Sequence, residues 1–283
     1  MGASFLITLR EGLEISLVLA ILLAYLAKTD RRSLFPAVAV GAAIAAVVCI
    51  VAGVVFHLVV GEFVGKTEQA IEGTLALVAA ALLTWMIFWM RTHSRGLSNS
   101  LHGKLDAAVG QSATAVAVVA FVAVVREGFE TVLFLLGAQT PGSSGSAVIV
   151  GGLFGLGISA VLGVTIYRSG SRFNLRRFFQ ITGLLLVLFA AGLFAKAVHE
   201  FRELLEIEGA LARPLWTVTS GPLASGWVHD FLQGLFGWSE SPERIRVVAY
   251  FAYLIPVGTA FFVGGRSRPA AAPTKELVTT LMP

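Results

Sequence analysis

Seven unbroken apolar runs constrain this chain more than any other feature. They cover approximately residues 3–27, 35–60, 69–90, 113–137, 147–167, 177–198 and 245–264. About 20 helical residues, rising 1.5 Å each, cross roughly 30 Å of hydrocarbon. Every run is long enough. A segment in lipid must satisfy its own backbone hydrogen bonds, and continuous apolar runs do so as helices rather than as a barrel. Composition agrees: 13% of residues are charged, against about 25% in a soluble domain. The expected fold is an all-α integral membrane protein with seven transmembrane helices. The first run lacks a basic leader and carries Arg10, Glu11 and Glu14, so it reads as a permanent span rather than a cleaved signal.

The loops assign sides. Thirteen Lys and Arg fall in loops 1–2, 3–4 and 5–6 and in the C-terminal tail, against five in the remaining loops. The positive-inside rule places the N-terminus outside and the C-terminus in the cytoplasm. The net charge of +4 is thus explained by orientation, and no nucleic-acid partner is expected. The single Cys49 excludes an internal disulfide and a cysteine-based metal centre. Residues 1–265 read as one membrane domain, followed by a disordered cytoplasmic tail at 266–283. The outer loop, about 199–244, carries Trp216, Trp227 and Trp238, which suit segments lying at the membrane interface.

Arg10-Glu11-Gly12-Leu13-Glu14 on span 1 recurs as Arg126-Glu127-Gly128-Phe129-Glu130 on span 4. Spans 3 and 6 echo each other more weakly, Ile71-Glu72-Gly73 against Ile181-Thr182-Gly183. Residues of about 1–92 and about 112–200 are therefore expected to be two three-helix repeats, with span 7 added. Three is odd, so the repeats must cross in opposite directions, as in many transporters. At 1.5 Å per residue, Glu11 should level with Glu130 about 10–12 Å from the outer face, and Glu14 with Glu127 about 15–17 Å from it.

A charge at a helix centre costs about 2.5–3.5 kcal/mol. Six motif charges facing lipid would cost on the order of 15–20 kcal/mol, so they must face the bundle or a watery path. Glutamates at i and i+3 share a face, and Arg10 is placed to hold one of them. Gly12 and Gly128 sit off that face and allow a neighbouring helix to approach. A balanced buried ion pair would serve packing alone. These motifs instead leave a net charge of −2, or −3 with Glu72, which a cation or protons must balance. Carboxylates suit hard cations, leaving Fe3+, Mn2+, Mg2+, Ca2+ and H+ open. A divalent-metal or cation/proton transporter on the same scaffold and a membrane subunit that docks an outer redox enzyme also remain open.

These residues resemble the oxidase-dependent high-affinity iron permease family, found in fungi and, as EfeU-type proteins, in bacteria. That family has seven spans, an outer N-terminus and an Arg-Glu-Gly-x-Glu motif on spans one and four. The likeness extends to Glu72-Gly73, the Trp85 to Met90 segment, His199-Glu200, Leu215-Trp216 and the Tyr250 to Tyr253 region, and covers roughly residues 1–265. The resemblance implies Fe3+ uptake across the plasma membrane, the bacterial inner membrane here, with Glu11, Glu14, Glu127 and Glu130 as ligands. Iron is then cargo, and no resident cofactor is implied. It further implies an outer partner that oxidises iron, a multicopper oxidase in fungi or a haem peroxidase in bacteria, together with an iron-binding periplasmic protein.

Span 6 ends in His199, Glu200, Glu203 and Glu206. The i, i+3 spacing of the three glutamates predicts an acidic stripe at an outer vestibule, either collecting cations or simply solvated. His57, near the outer end of span 2, reads as an interfacial side chain or as part of the entrance, and His93 and His102 are candidates for a cytoplasmic exit. His229 has no clear partner. The chain lacks a nucleotide-binding G-x-x-x-x-G-K-[ST] and a zinc-protease H-E-x-x-H, and no enzymatic activity is expected.

Overall fold

The structure is a computed structural model, described over residues 2–60, 65–93, 112–138, 145–169 and 175–263. Eight α-helices follow one another among the described residues: α1 (Gly2–Lys28), α2 (Phe35–Val60), α3 (Lys66–His93), α4 (Ala113–Gly137), α5 (Gly145–Ser169), α6 (Leu175–Leu204), α7 (Trp227–Phe236) and α8 (Arg244–Val263). A short 3-10 turn, Arg32–Leu34, joins α1 to α2. The β-type pairing among the described residues is one isolated antiparallel bridge, Pro214 to Glu243. Each apolar run of the sequence lies in a helix of 20 residues or more.

Five stretches are long and apolar enough on their own to cross a bilayer: Arg32–Phe56, Lys66–Trp89, Val148–Thr165, Ile181–Leu204 and Arg244–Val263. α1 and α4 are as long, but each carries the three motif charges mid-run. α2 is exposed along much of its length, with Val40, Ile44, Val47, Ile50 and Val51 outward. In water such a surface would aggregate; against lipid it is matched.

Helix ends have local causes. Ser112 caps α4 by accepting from the Ala115 N–H at 3.1 Å. α6 stops because Glu206 turns left-handed, φ 52°, while Ile207 N–H donates to Arg202 O at 3.1 Å and Glu206 N–H to Glu203 O at 3.0 Å. This is a Schellman end, and it breaks the helical spacing beyond Leu204.

The most extensive pairings are α1 with α5, α2 with α4 and α3 with α6. Gly12 lies so close to α5 that a Cβ there would strike the Ser159 hydroxyl, and Gly128 lies so close to α2 that a Cβ would strike Cys49 Sγ. One turn on, Gly163 packs on Ser16 and Gly53 on Val132. These contacts match under one register: Gly12 with Gly128, Ser16 with Val132, Ser159 with Cys49, Gly163 with Gly53. Residue numbers rise together in both pairings, so each pair runs parallel. α1 turns back into α2, which places α1 antiparallel to α4. The weaker echo does not match: Gly73 faces Glu200 and Phe201, whereas Gly183 faces Phe261 of α8.

Two apolar clusters fill the bundle. One gathers Ile7, Leu83, Met86, Phe134, Val187 and Phe189 among others. The second gathers Val18, Leu22, Leu26, Val38, Val116 and Ala120. Along α1 the charged motif falls between Ile7 and Val18, and along α4 between Ala120 and Phe134. A layer of charge is thus held between two layers of hydrocarbon.

The outer loop is not a separate body. Its helix α7 packs on the start of α1 and on α6, where Gly192 and Gly237 meet backbone to backbone. His229 is not isolated: its Nε2 lies 2.9 Å from Glu240 Oε2. The side chains of His57 and His93, all of His102 and the tail at 266–283 lie outside the described residues.

Candidate metal centre

Each motif arginine gathers its own two glutamates. Arg10 Nη1 is 2.5 Å from Glu11 Oε1 and its Nη2 is 2.8 Å from Glu14 Oε1. Arg126 Nε is 3.4 Å from Glu127 Oε1 and 3.3 Å from Glu130 Oε1. The expectation that Arg10 would hold a single carboxylate is corrected here: its fork is long enough to reach both.

The copies differ in enclosure. Arg10 is 3% exposed and also donates to Met86 Sδ at 3.0 Å, whereas Arg126 is 47% exposed and lies over the Trp89 ring, 5.4 Å from its centroid. A cation over an indole face is stabilised by roughly 0.5–2 kcal/mol, so Trp89 supports the second arginine where two short carboxylate contacts support the first.

Glu11, Glu14 and Glu127 each bring one carboxylate oxygen within 4.8 Å of the other two. Glu130 stands outside this group, drawn back by Arg126 one turn away, yet its charge still acts on Arg10 and Glu14. Two oxygens of the group, Glu11 Oε2 and Glu127 Oε2, are buried without a hydrogen-bond partner among the described residues. Leaving a buried acceptor unsatisfied costs about 1–3 kcal/mol, and more for a charged group. Four carboxylates against two guanidiniums leave a formal net −2 in a layer held between two apolar clusters. Hard, oxygen-only donors with free lone pairs are what a hard cation needs.

Glu72 is not part of this layer. Its Oε2 is 2.7 Å from Lys196 Nζ, a cation toward the C-terminal end of span 6 that cancels its charge. The expected deficit of −3 is therefore corrected to −2 at the motifs. Glu72 lies fourteen residues before Met86 on α3, about 21 Å nearer the start of that helix.

Glu72 instead lines a cavity of about 400 Å³ at the α6–α8 loop end of the bundle, with Glu68, Gln69, Lys196, His199, Glu200 and Glu203, and with Gln233 and Arg246. The vestibule residues His199, Glu200 and Glu203 do meet here. Glu206 does not. It lies past the end of α6, exposed and paired with Lys66 Nζ at 2.7 Å, which holds its carboxyl below the usual range. The helical spacing that put it on the stripe ends two residues earlier. Glu243, which the sequence reading passed over, joins His199 and Arg202 at 3.2 Å and 2.7 Å. No local spacing could have found it, because it arrives across the outer loop.

Several apolar helices around a buried charge layer define a multi-pass membrane protein of the transporter class. The chain matches the model described as "Iron permease FTR1 family" over residues 1–266, and it belongs to that family. It is similar to proteins named "Ferrous iron permease EfeU": 38% identical to that of Yersinia pestis over 96% of this chain and 97% of the relative. For Yersinia pseudotuberculosis the identity is 39%, over 95% and 94%. For Escherichia coli O6:H1 it is 35%, over 96% and 99%. No solved structure matches.

Proposed function

We propose that this chain moves iron into the cytoplasm through the layer formed by Glu11, Glu14, Glu127 and Glu130, with Arg10 and Arg126 holding the carboxylates. The observation that carries this is the pair of buried, unpartnered oxygens on Glu11 and Glu127 within a site of net −2. A cation between the antiparallel helices would satisfy both and neutralise the layer. All seven long helices are read as spans, with the N-terminus outside. The matched contacts of Gly12 with Ser159 and Gly128 with Cys49 support two inverted three-helix repeats, whose interface holds the site. Apolar layers on both sides of the charges support an occluded state, in which the ion reaches neither face until one layer parts.

Oxygen-only donors favour Fe3+ as the ion in this layer, received at the outer face from an iron-oxidising partner and a periplasmic iron-binding protein. The name carried by the relatives favours a second reading, Fe2+. Uptake of radioactive iron by vesicles holding the purified chain separates the two. Transport from a ferric chelate without reductant supports Fe3+; transport only with ascorbate supports Fe2+. Absence of both, with the protein folded and inserted, overturns the permease reading.

A further inference from the structure

The outer cavity holds a second constellation, built from distant parts of the chain. His199 and Glu203 stand one turn apart on α6. Glu243, just before α8, meets them, and one ligand atom from each of the three lies within 4.8 Å of the others. Glu243 Oε2 is 3.2 Å from His199 Nδ1, and Glu203 Oε1 is 3.7 Å from His199 Nε2. Arg202 Nη2 spans the two carboxylates, 2.7 Å from Glu243 Oε1 and 3.0 Å from Glu203 Oε1. The backbone fixes Glu243 as well. It bridges to Pro214, and the next residue, Arg244, donates its N–H to Arg213 O at 3.1 Å.

A separate observation points to a ligand. Glu200 lines the same cavity, is 8% exposed, and makes no hydrogen bond or close ion pair among the described residues. Its side chain is largely buried while its carboxylate opens into the cavity without a direct protein partner among the described residues. Its nearest charges are mixed in sign, Lys196 and His199 against Glu72 and Glu203.

We infer that this is a second cation site, at the outer mouth, with His199, Glu203 and Glu243 as ligands and Glu200 as the adjoining charge. It takes a divalent first-row ion. Imidazole beside carboxylates suits a borderline ion such as Fe2+ and also admits Mn2+, whereas the central layer offers oxygen alone. Glu72, on the cavity wall, and Met86, at the central layer, are about 21 Å apart along α3, so one ion can wait outside while another occupies the centre. Only the identity of the cargo rests on the permease reading; the site itself stands on its own donors.

The test uses the purified full-length chain in nanodiscs, titrated with Mn2+ as a redox-stable probe. Spin-echo spectroscopy reads nitrogen coupled to the bound ion. The wild type should show Mn2+ bound to an imidazole nitrogen. His199→Ala should abolish that coupling, and Glu243→Gln, nearly isosteric, should weaken this binding at least about tenfold, the lower range for lost metal-site groups. Helicity and elution volume report whether the variants are folded. Glu11→Gln and Glu127→Gln should leave the nitrogen signal intact. Mn2+ without nitrogen coupling in the wild type, or coupling that survives His199→Ala, overturns the site. Iron uptake that proceeds without the nitrogen signal sinks this site alone. A nitrogen signal without uptake sinks only the permease reading.

Discussion

Glu127 of α4 brings a carboxylate oxygen within 4.8 Å of one from Glu14 of α1, although the two helices run in opposite directions. Each carboxylate is paired with the arginine of its own motif, Glu14 with Arg10 at 2.8 Å and Glu127 with Arg126 at 3.4 Å. Two like charges at this separation repel unless something positive enters. Glu14→Gln and Glu127→Gln should each cut iron uptake by at least about tenfold while the protein still reaches the membrane. Radioactive-iron uptake against a surface-labelling control measures this, and wild-type rates would rule out the central layer as the path.

Gly128 and Cys49 give a packing test that does not touch the charges. Gly128→Ala forces a methyl group into Cys49 Sγ, and overpacking of this kind costs about 1–3 kcal/mol. Cys49→Ala removes the sulfur and should recover most of that loss. Thermal melts of the single and double variants in detergent check the coupling. If Gly128→Ala alone matches the wild type, α2 and α4 do not approach as described.

Arg10 and Arg126 should differ when removed. Arg10 is enclosed with two carboxylates, and deleting one partner of a buried pair costs about 3–5 kcal/mol. Arg126 is half exposed and its ion pairs are longer, so Arg126→Ala should cost less than half as much. Melting temperatures of the two variants order the effects, and equal losses would refute the asymmetry.

Lys196 and Glu72 form a pair whose members should be worse alone than absent together. Lys196→Met leaves the Glu72 carboxylate uncompensated, and the double variant with Glu72→Gln should regain about 0.5–3 kcal/mol of that loss. A thermodynamic cycle from four melts reads the coupling; additivity would mean the two do not interact.

Acid should loosen the outer loop before the bundle. Its own backbone N–H and the His229 ring hold the Glu240 carboxyl below the ordinary 4.5. A lowered folded value contributes stability above the unfolded value that is lost as pH falls through the folded one. Hydrogen exchange over α7 should therefore quicken as pH drops below about 4.5, the ordinary value, and Glu240→Gln should remove that step. An unchanged acid profile in the variant would show that another group controls the loop.

The helices and the twin motifs were legible because each is written in neighbouring residues. Apolar runs set the helix lengths, and the spacing of Arg10, Glu11 and Glu14 set their shared face. Lys196 is legible in part: a cation in an apolar run demands an anion, but only the fold shows that the anion is Glu72. Glu206 was misplaced because the left-handed turn at the end of α6 carries no glycine to announce it; Glu occupies a position that usually takes Gly. Glu243 could not be found by spacing at all, since it joins His199 only after the outer loop has folded back.

The parallel pairings of α1 with α5 and α2 with α4 bear on how the chain is made. α1 packs on α5 and α2 on α4, so residues 2–93 do not complete their packing among themselves. A ribosome releasing α1 to α3 leaves Gly12 without the Ser159 surface it was shaped for until α5 emerges. Membrane insertion can thus proceed helix by helix, but assembly must wait for the sixth. A nascent chain stalled after α3 is an unfinished protein rather than a smaller one, and a natural target for quality-control proteolysis.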